Sequence, residues 1–286
     1  MLRLIIAALV LALVPVPVPG AEALPDYIET FNNCGVDWET GKISATGFSE
    51  PSRKKTGAQT IRNETLSAAR KIAGETLADL VGKLRLSGRR SVSDVMEAEP
   101  SIAERIREMV RSAPVVQQNF LSDGAAEIVV EMSIHGGFAQ LILPDDIRHI
   151  EAIQPVNIIK GKPKGDAAGR AGQARAGGLV IDARGLGATP AMIFSVLDEN
   201  GKSVYGSAFI SREYAVQWGM AEYVKRLSTA KGSARVSPHP LVIKGLRAVG
   251  AGRTDIIISN ADATKIIGAV ENLIFLRKGR VSVVLD

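Results

Sequence analysis

Residues 123–134, Asp123-Gly124-Ala125-Ala126-Glu127-Ile128-Val129-Val130-Glu131-Met132-Ser133-Ile134, decide the fold class. Apolar Ala126, Ile128, Val130, Met132 and Ile134 alternate with Glu127, Glu131 and Ser133. That two-residue period belongs to a strand with one face buried and the other in water. Asp123-Gly124 in front of it is a hairpin signal, joining it to a strand over 115–120. Further upstream the period changes. Leu66, Ala69, Ala73, Leu77, Leu80 and Leu84 step by 3, 4, 4, 3 and 4, which draws one stripe on a helix running from about Thr56 to Arg85. Alanines within that stripe would let the helix sit close to a sheet. Gly88 ends it, Ser91 with Asp94 starts a second helix, and Ile102, Ile106 and Met109 repeat helical spacing after Pro100. A strand over 42–47 precedes all of this. The order β-α-α-β-β implies an antiparallel sheet with helices on one face.

The second half repeats the mixture. Residues 179–181, 192–197 and 204–205 read as short strands, with Asp198-Glu199-Asn200-Gly201 as a hairpin turn. A helix is expected over 212–230, further strands over 241–246, 255–258 and 280–285, and a short helix capped by Asn260 or Asp262. The expected fold class is therefore α+β: two small mixed domains, each an antiparallel or mixed sheet with helices on one face.

Between the halves the composition shifts to Gly, Ala and basic residues. Lys160, Lys162, Lys164, Arg170 and Arg175 face Asp166 alone, so this stretch holds all but one of the chain's net charges of +5. The basic balance thus belongs to a connector over 159–178 and not to a nucleic-acid face. Those five cations are candidates for binding anionic envelope polymer or lipid. At the amino end, Arg3, an apolar run from Leu4 to Val14 and Ala21-Glu22-Ala23 form the pattern of a signal peptide over 1–23. The run is too short to span a bilayer. No cysteine follows Ala23 directly, so lipidation there is not expected, and the single cysteine, Cys34, leaves no internal disulfide or zinc cage. The expected plan is a leader over 1–23, a domain over 24–158, the connector and a second domain over 179–286. The expected place is the periplasm, in solution or against the outer membrane.

Motifs with chemistry are few. Gly185-Leu186-Gly187-Ala188-Thr189-Pro190 starts like a dinucleotide fingerprint, but proline replaces its third glycine and a strand is expected after it. His135-Gly136-Gly137 resembles an oxyanion-loop fragment without any G-x-S-x-G elbow to serve. His135, His149 and His239 lack a second ligand at helical spacing, and the adjacent Asp145 and Asp146 do not converge as catalytic carboxylates do. No catalytic, cofactor or metal residue is assigned. Alanine at His135, Asp146, Asp182 or His239 is expected to leave function intact.

Val36-Asp37-Trp38-Glu39-Thr40-Gly41-Lys42-Ile43-Ser44-Ala45-Thr46-Gly47 resembles the V-D-W-x-x-G-x-I-x-A-x-G opening of the FlgP/FlgT-like family of exported envelope lipoproteins and flagellar-assembly proteins. The Ala/Arg-rich helix with Ala68-Ala69-Arg70, the run 77–86 and Ser91-Val92 are similar to that family as well, over residues 36–135 in all. The resemblance implies an α+β module that builds or stabilises envelope assemblies such as basal-body rings, and implies no chemistry. The expected function is then a non-enzymatic structural or assembly protein of the bacterial envelope, self-associating or joining flagellar or envelope proteins. Strand 126–134 is expected to offer an edge for pairing. Alternatives are a module binding envelope polysaccharide, peptidoglycan or lipid, and a hydrolase with a dispersed site.

Overall fold

The computed structural model describes residues 27–51, 57–148 and 176–286. The leader and the five connector cations lie outside the described residues.

The first half contains β1 (Ile28–Phe31), β2 (Cys34–Asp37), β3 (Lys42–Ser49), α1 (Ala58–Lys83), α2 (Val92–Ala98), α3 (Pro100–Arg111), β4 (Val115–Phe120), β5 (Ala126–Ser133) and α4 (Gly137–Ile142). Its five strands pair antiparallel in the order β1-β2-β3-β5-β4. The alternation in β5 works as read: Ala126, Ile128, Val130 and Met132 are buried and the residues between them are not. The hairpin before it is closed by Asp123, whose Oδ1 accepts from Ala125 N at 2.9 Å. One expectation falls. β5 is an interior strand, flanked by β3 and β4, so its ladder is already satisfied, and among the described residues the edge strands are β1 and β4.

Helix α1 lies across β3 and β5 with Thr65, Ala69, Ala73, Leu77, Leu80 and Val81 buried. The approach is as close as the alanines suggested. A Cβ added at Gly47 on β3 would stand 2.0 Å from the Ala69 carbonyl oxygen and 2.4 Å from Ala73 N, so backbone meets backbone there. Ser91 and Asp94 form the expected reciprocal cap of α2, Ser91 N donating to Asp94 Oδ2 at 2.6 Å. In α3 the buried stripe is Ala103, Ile106 and Val110, while Ile102 and Met109 are only half-buried.

The second half contains β6 (Leu179–Asp182), β7 (Val196–Leu197), β8 (Ser203–Tyr205), α5 (Arg212–Trp218), β9 (Glu222–Val224), α6 (Leu227–Gly232), β10 (Leu241–Val249), β11 (Asp255–Ile258), α7 (Asn260–Ile267), α8 (Val270–Arg277) and β12 (Val281–Val284). The seven strands run β8-β7-β11-β10-β6-β12-β9, a mixed sheet in which β10, β6, β12 and β9 are mutually parallel. Central β6 and β12 are buried on both faces, and apart from Asp182 and Ser282 their residues are apolar for that reason.

The expected helix over 212–230 does not form as one piece. Gly219, at φ +72°, ends α5; Glu222–Val224 then joins the sheet beside β12, and a separate α6 follows. The strand expected over 192–197 pairs only at its last two residues. Ser259, one residue earlier than expected, caps α7 by accepting from Asp262 N at 3.1 Å. Among the described residues, no helix is long and apolar enough to cross a membrane. Buried side chains of both sheets form one continuous cluster, with a smaller one, including Val180, Val224 and Val236, beside α6.

Candidate functional site: the seam between the sheets

Several aromatic and charged side chains come together where the two sheets meet. Trp38, directly after β2, is 4% exposed, and its ring meets Tyr223 edge-on at 5.8 Å. Tyr223 belongs to the edge strand β9, and its N–H donates outward to the Trp38 carbonyl at 3.3 Å. An edge donor of the second sheet is thereby satisfied by the first half. The Tyr223 hydroxyl donates to the Ala191 carbonyl at 2.8 Å, and Phe194 packs against both Tyr223 and Tyr205.

Charged groups hold the same seam. Both Glu29 carboxylate oxygens accept from Arg85 Nη2 at 2.6 Å, and Trp38 Nε1 donates to Glu29 Oε2 at 3.0 Å. Arg85 Nε also reaches the Pro190 carbonyl at 2.9 Å. The backbone beside it joins in, with Met192 N donating to Arg85 O and Ile193 N to Leu86 O. On α5, the Arg212 guanidinium donates to the carbonyls of Gln140, Leu143 and Pro144, at and just past the end of α4. A cation suits the carbonyl-rich end of a helix. Arg235 does the same for a loop, bonding the carbonyls of Trp218, Gly219 and Gly279.

His135 is wedged into this seam between two glycines. A Cβ on Gly41 would come 2.2 Å from its Cε1, and a Cβ on Gly219 would come 2.9 Å from its Nε2. Burial, reinforced by the Arg235 cation, pushes its pKa down to about 4, so the imidazole is neutral at pH 7. The cavity beside it, lined by Trp38, Tyr223 and Met192 among others, measures about 20 Å³. That is room for a single water and for no organic substrate. Glu222 lies deeper, its pKa raised by burial, and stands beside Ser282, its register partner on β12.

Other sequence candidates lie apart. Gly185 and Gly187 form a turn with positive φ at the carboxyl end of β6, and no helix follows them. Gly185 N donates instead to the Asp286 carboxylate at 2.8 Å, and Asp182 is bidentately paired with Arg184. Asp145 and Asp146 occupy an exposed turn after Pro144, and His239 sits in an exposed loop. Cys34 is half-buried, and burial pushes its thiol up, away from a reactive thiolate. Among the described residues, no group of three His, Cys, Asp or Glu side chains could hold a metal ion. The seam itself was missed: Trp38, Arg85 and His135 stood inside noticed stretches, but nothing in those stretches, or at Arg212 and Tyr223, pointed to a contact between the halves.

No curated protein matches the chain. Residues 178–286, the whole seven-stranded sheet with its helices, are similar to the second domain of Treponema pallidum Tp0624.

Proposed function

We propose that the protein is an exported structural or assembly component of the bacterial envelope. The observation that carries this reading is the edge strand β1, which has a strand partner on one side only among the described residues and presents Ile28 and Phe31, each 42% exposed. A flat edge with exposed apolar residues is a template for another chain. The polar side chains of the seam support the same reading, because they are engaged in joining the halves. The periplasmic setting rests on the leader pattern, and a flagellar association rests on the resemblance over residues 36–135 alone.

Light scattering tests it. The wild-type protein is expected to show a concentration-dependent oligomer, and Phe31→Lys to shift it to monomer at unchanged melting temperature. A strict monomer at high concentration in the wild type would end the proposal.

A further inference from the structure

Helices α1 and α3 do not close against each other along their whole length. Between them runs a slot of about 470 Å³, reaching down to Val130 on β5. Its volume lies within the range of about 300–1,000 Å³ typical of small-ligand sites. Val81, Ile106, Val110 and Val130 line it, yet each is only 1–7% exposed. The slot is therefore half-open, and these four side chains show only small apolar patches at its floor.

The mouth is basic on both sides: Arg70 and Lys71 on α1, Arg107 and Arg111 on α3, against Glu75. Arg70 has no ion pair or hydrogen bond among the described residues. Lys71 is paired only at 3.9 Å with Glu75, and Arg107 and Arg111 share the exposed Glu104. Exposed pairs of this kind hold their cations weakly. Gly74 adds an independent observation. It sits in the middle of α1, where glycine weakens a helix, and a Cβ placed on it would meet nothing within 4 Å. No packing contact demands glycine there; the missing side chain keeps the slot open.

We propose that this slot binds a free long-chain fatty acid, the alkyl chain lying on the four aliphatic side chains and the carboxylate meeting the Arg70–Arg111 mouth. The full chain, stripped of lipid, is titrated with cis-parinaric acid and the probe is displaced with palmitate. Saturable binding at one site is expected. Palmitate should displace the probe at least about tenfold better than hexadecanol, which lacks the charge. Shortening the acid by two methylenes should weaken it about tenfold. Gly74→Leu should abolish binding while preserving or raising the melting temperature, because it fills the slot with a better helix former. Arg70→Glu with Arg111→Glu should weaken binding at least tenfold. Absence of saturable binding, unchanged binding by Gly74→Leu, or equal displacement by hexadecanol would each overturn the proposal. So would sedimentation with phosphatidylglycerol vesicles that palmitate does not compete, which would assign the basic mouth to a lipid surface.

Discussion

His135 shows how much one side chain can depend on residues the sequence sets far from it. Its ring fills space left by Gly41 in the first half and Gly219 in the second, and neither glycine signals the other in sequence. Residues 135–137 read as an oxyanion-loop fragment with no elbow to serve, and only the fold reveals a packed imidazole, so alanine there would remove a contact that the sequence does not show. The consequence for stability has a definite sign. The unfolded chain takes up a proton near pH 6.5 and the folded chain only near 4, so this residue's contribution is complete above pH 6.5 and is lost as pH falls through that interval. The full loss approaches about 3 kcal/mol, reduced by screening at the ring's exposed edge. Urea unfolding at pH 7 and at pH 4.5 is expected to show His135→Gln losing less stability than the wild type. Glu222 and Asp255, with carboxyl pKa values raised by burial, act in the opposite direction in both proteins and cancel in the comparison. Equal losses in the two proteins would show that His135 is not what titrates.

Among the elements, those with a clean period were legible. The α1 stripe, the β5 alternation, the 123–124 turn and the Ser91 cap were all readable because each is settled within a few residues. Residues 212–230 failed for the opposite reason. The helical spacing there is real in α5, but Gly219 and a vacant place beside β12 draw Glu222–Val224 into the sheet, and tertiary pairing overrides local preference. The closest helix–sheet contact makes the sharpest test. Gly47→Ala would push a methyl group into the Ala69 carbonyl, and since backbone on both sides has no rotamer to yield, the cost should reach or exceed about 3 kcal/mol. Chemical denaturation checks it; a change below about 1 kcal/mol would mean that α1 shifts freely over β3.

At the scale of the whole molecule, two sheets were foreseeable and their union was not. Composition changes along a chain reveal a connector, but Arg85 and Pro190 lie 105 residues apart and nothing local announces their bond. That union changes what limited proteolysis should show. Trypsin acting on the Lys/Arg-rich stretch 160–175 is expected to yield two fragments that remain together on gel filtration, held by Trp38 against Tyr223, by Arg85 and by Arg212. Fragments eluting separately would show that the seam is weak. Adding Arg85→Ala and Arg212→Ala should release them, since each deletion leaves buried carbonyls without donors at about 1–3 kcal/mol apiece.

The shared seam also fixes an order of events during synthesis. A chain made amino end first completes Glu29, Trp38 and Arg85 well before Tyr223, Pro190 and Arg212 follow. For that interval the first sheet stands with an apolar, half-finished flank, the kind of transient surface on which misassembly begins. A holding chaperone, or rapid completion of the remaining chain, is therefore part of what this architecture asks of the cell that makes it.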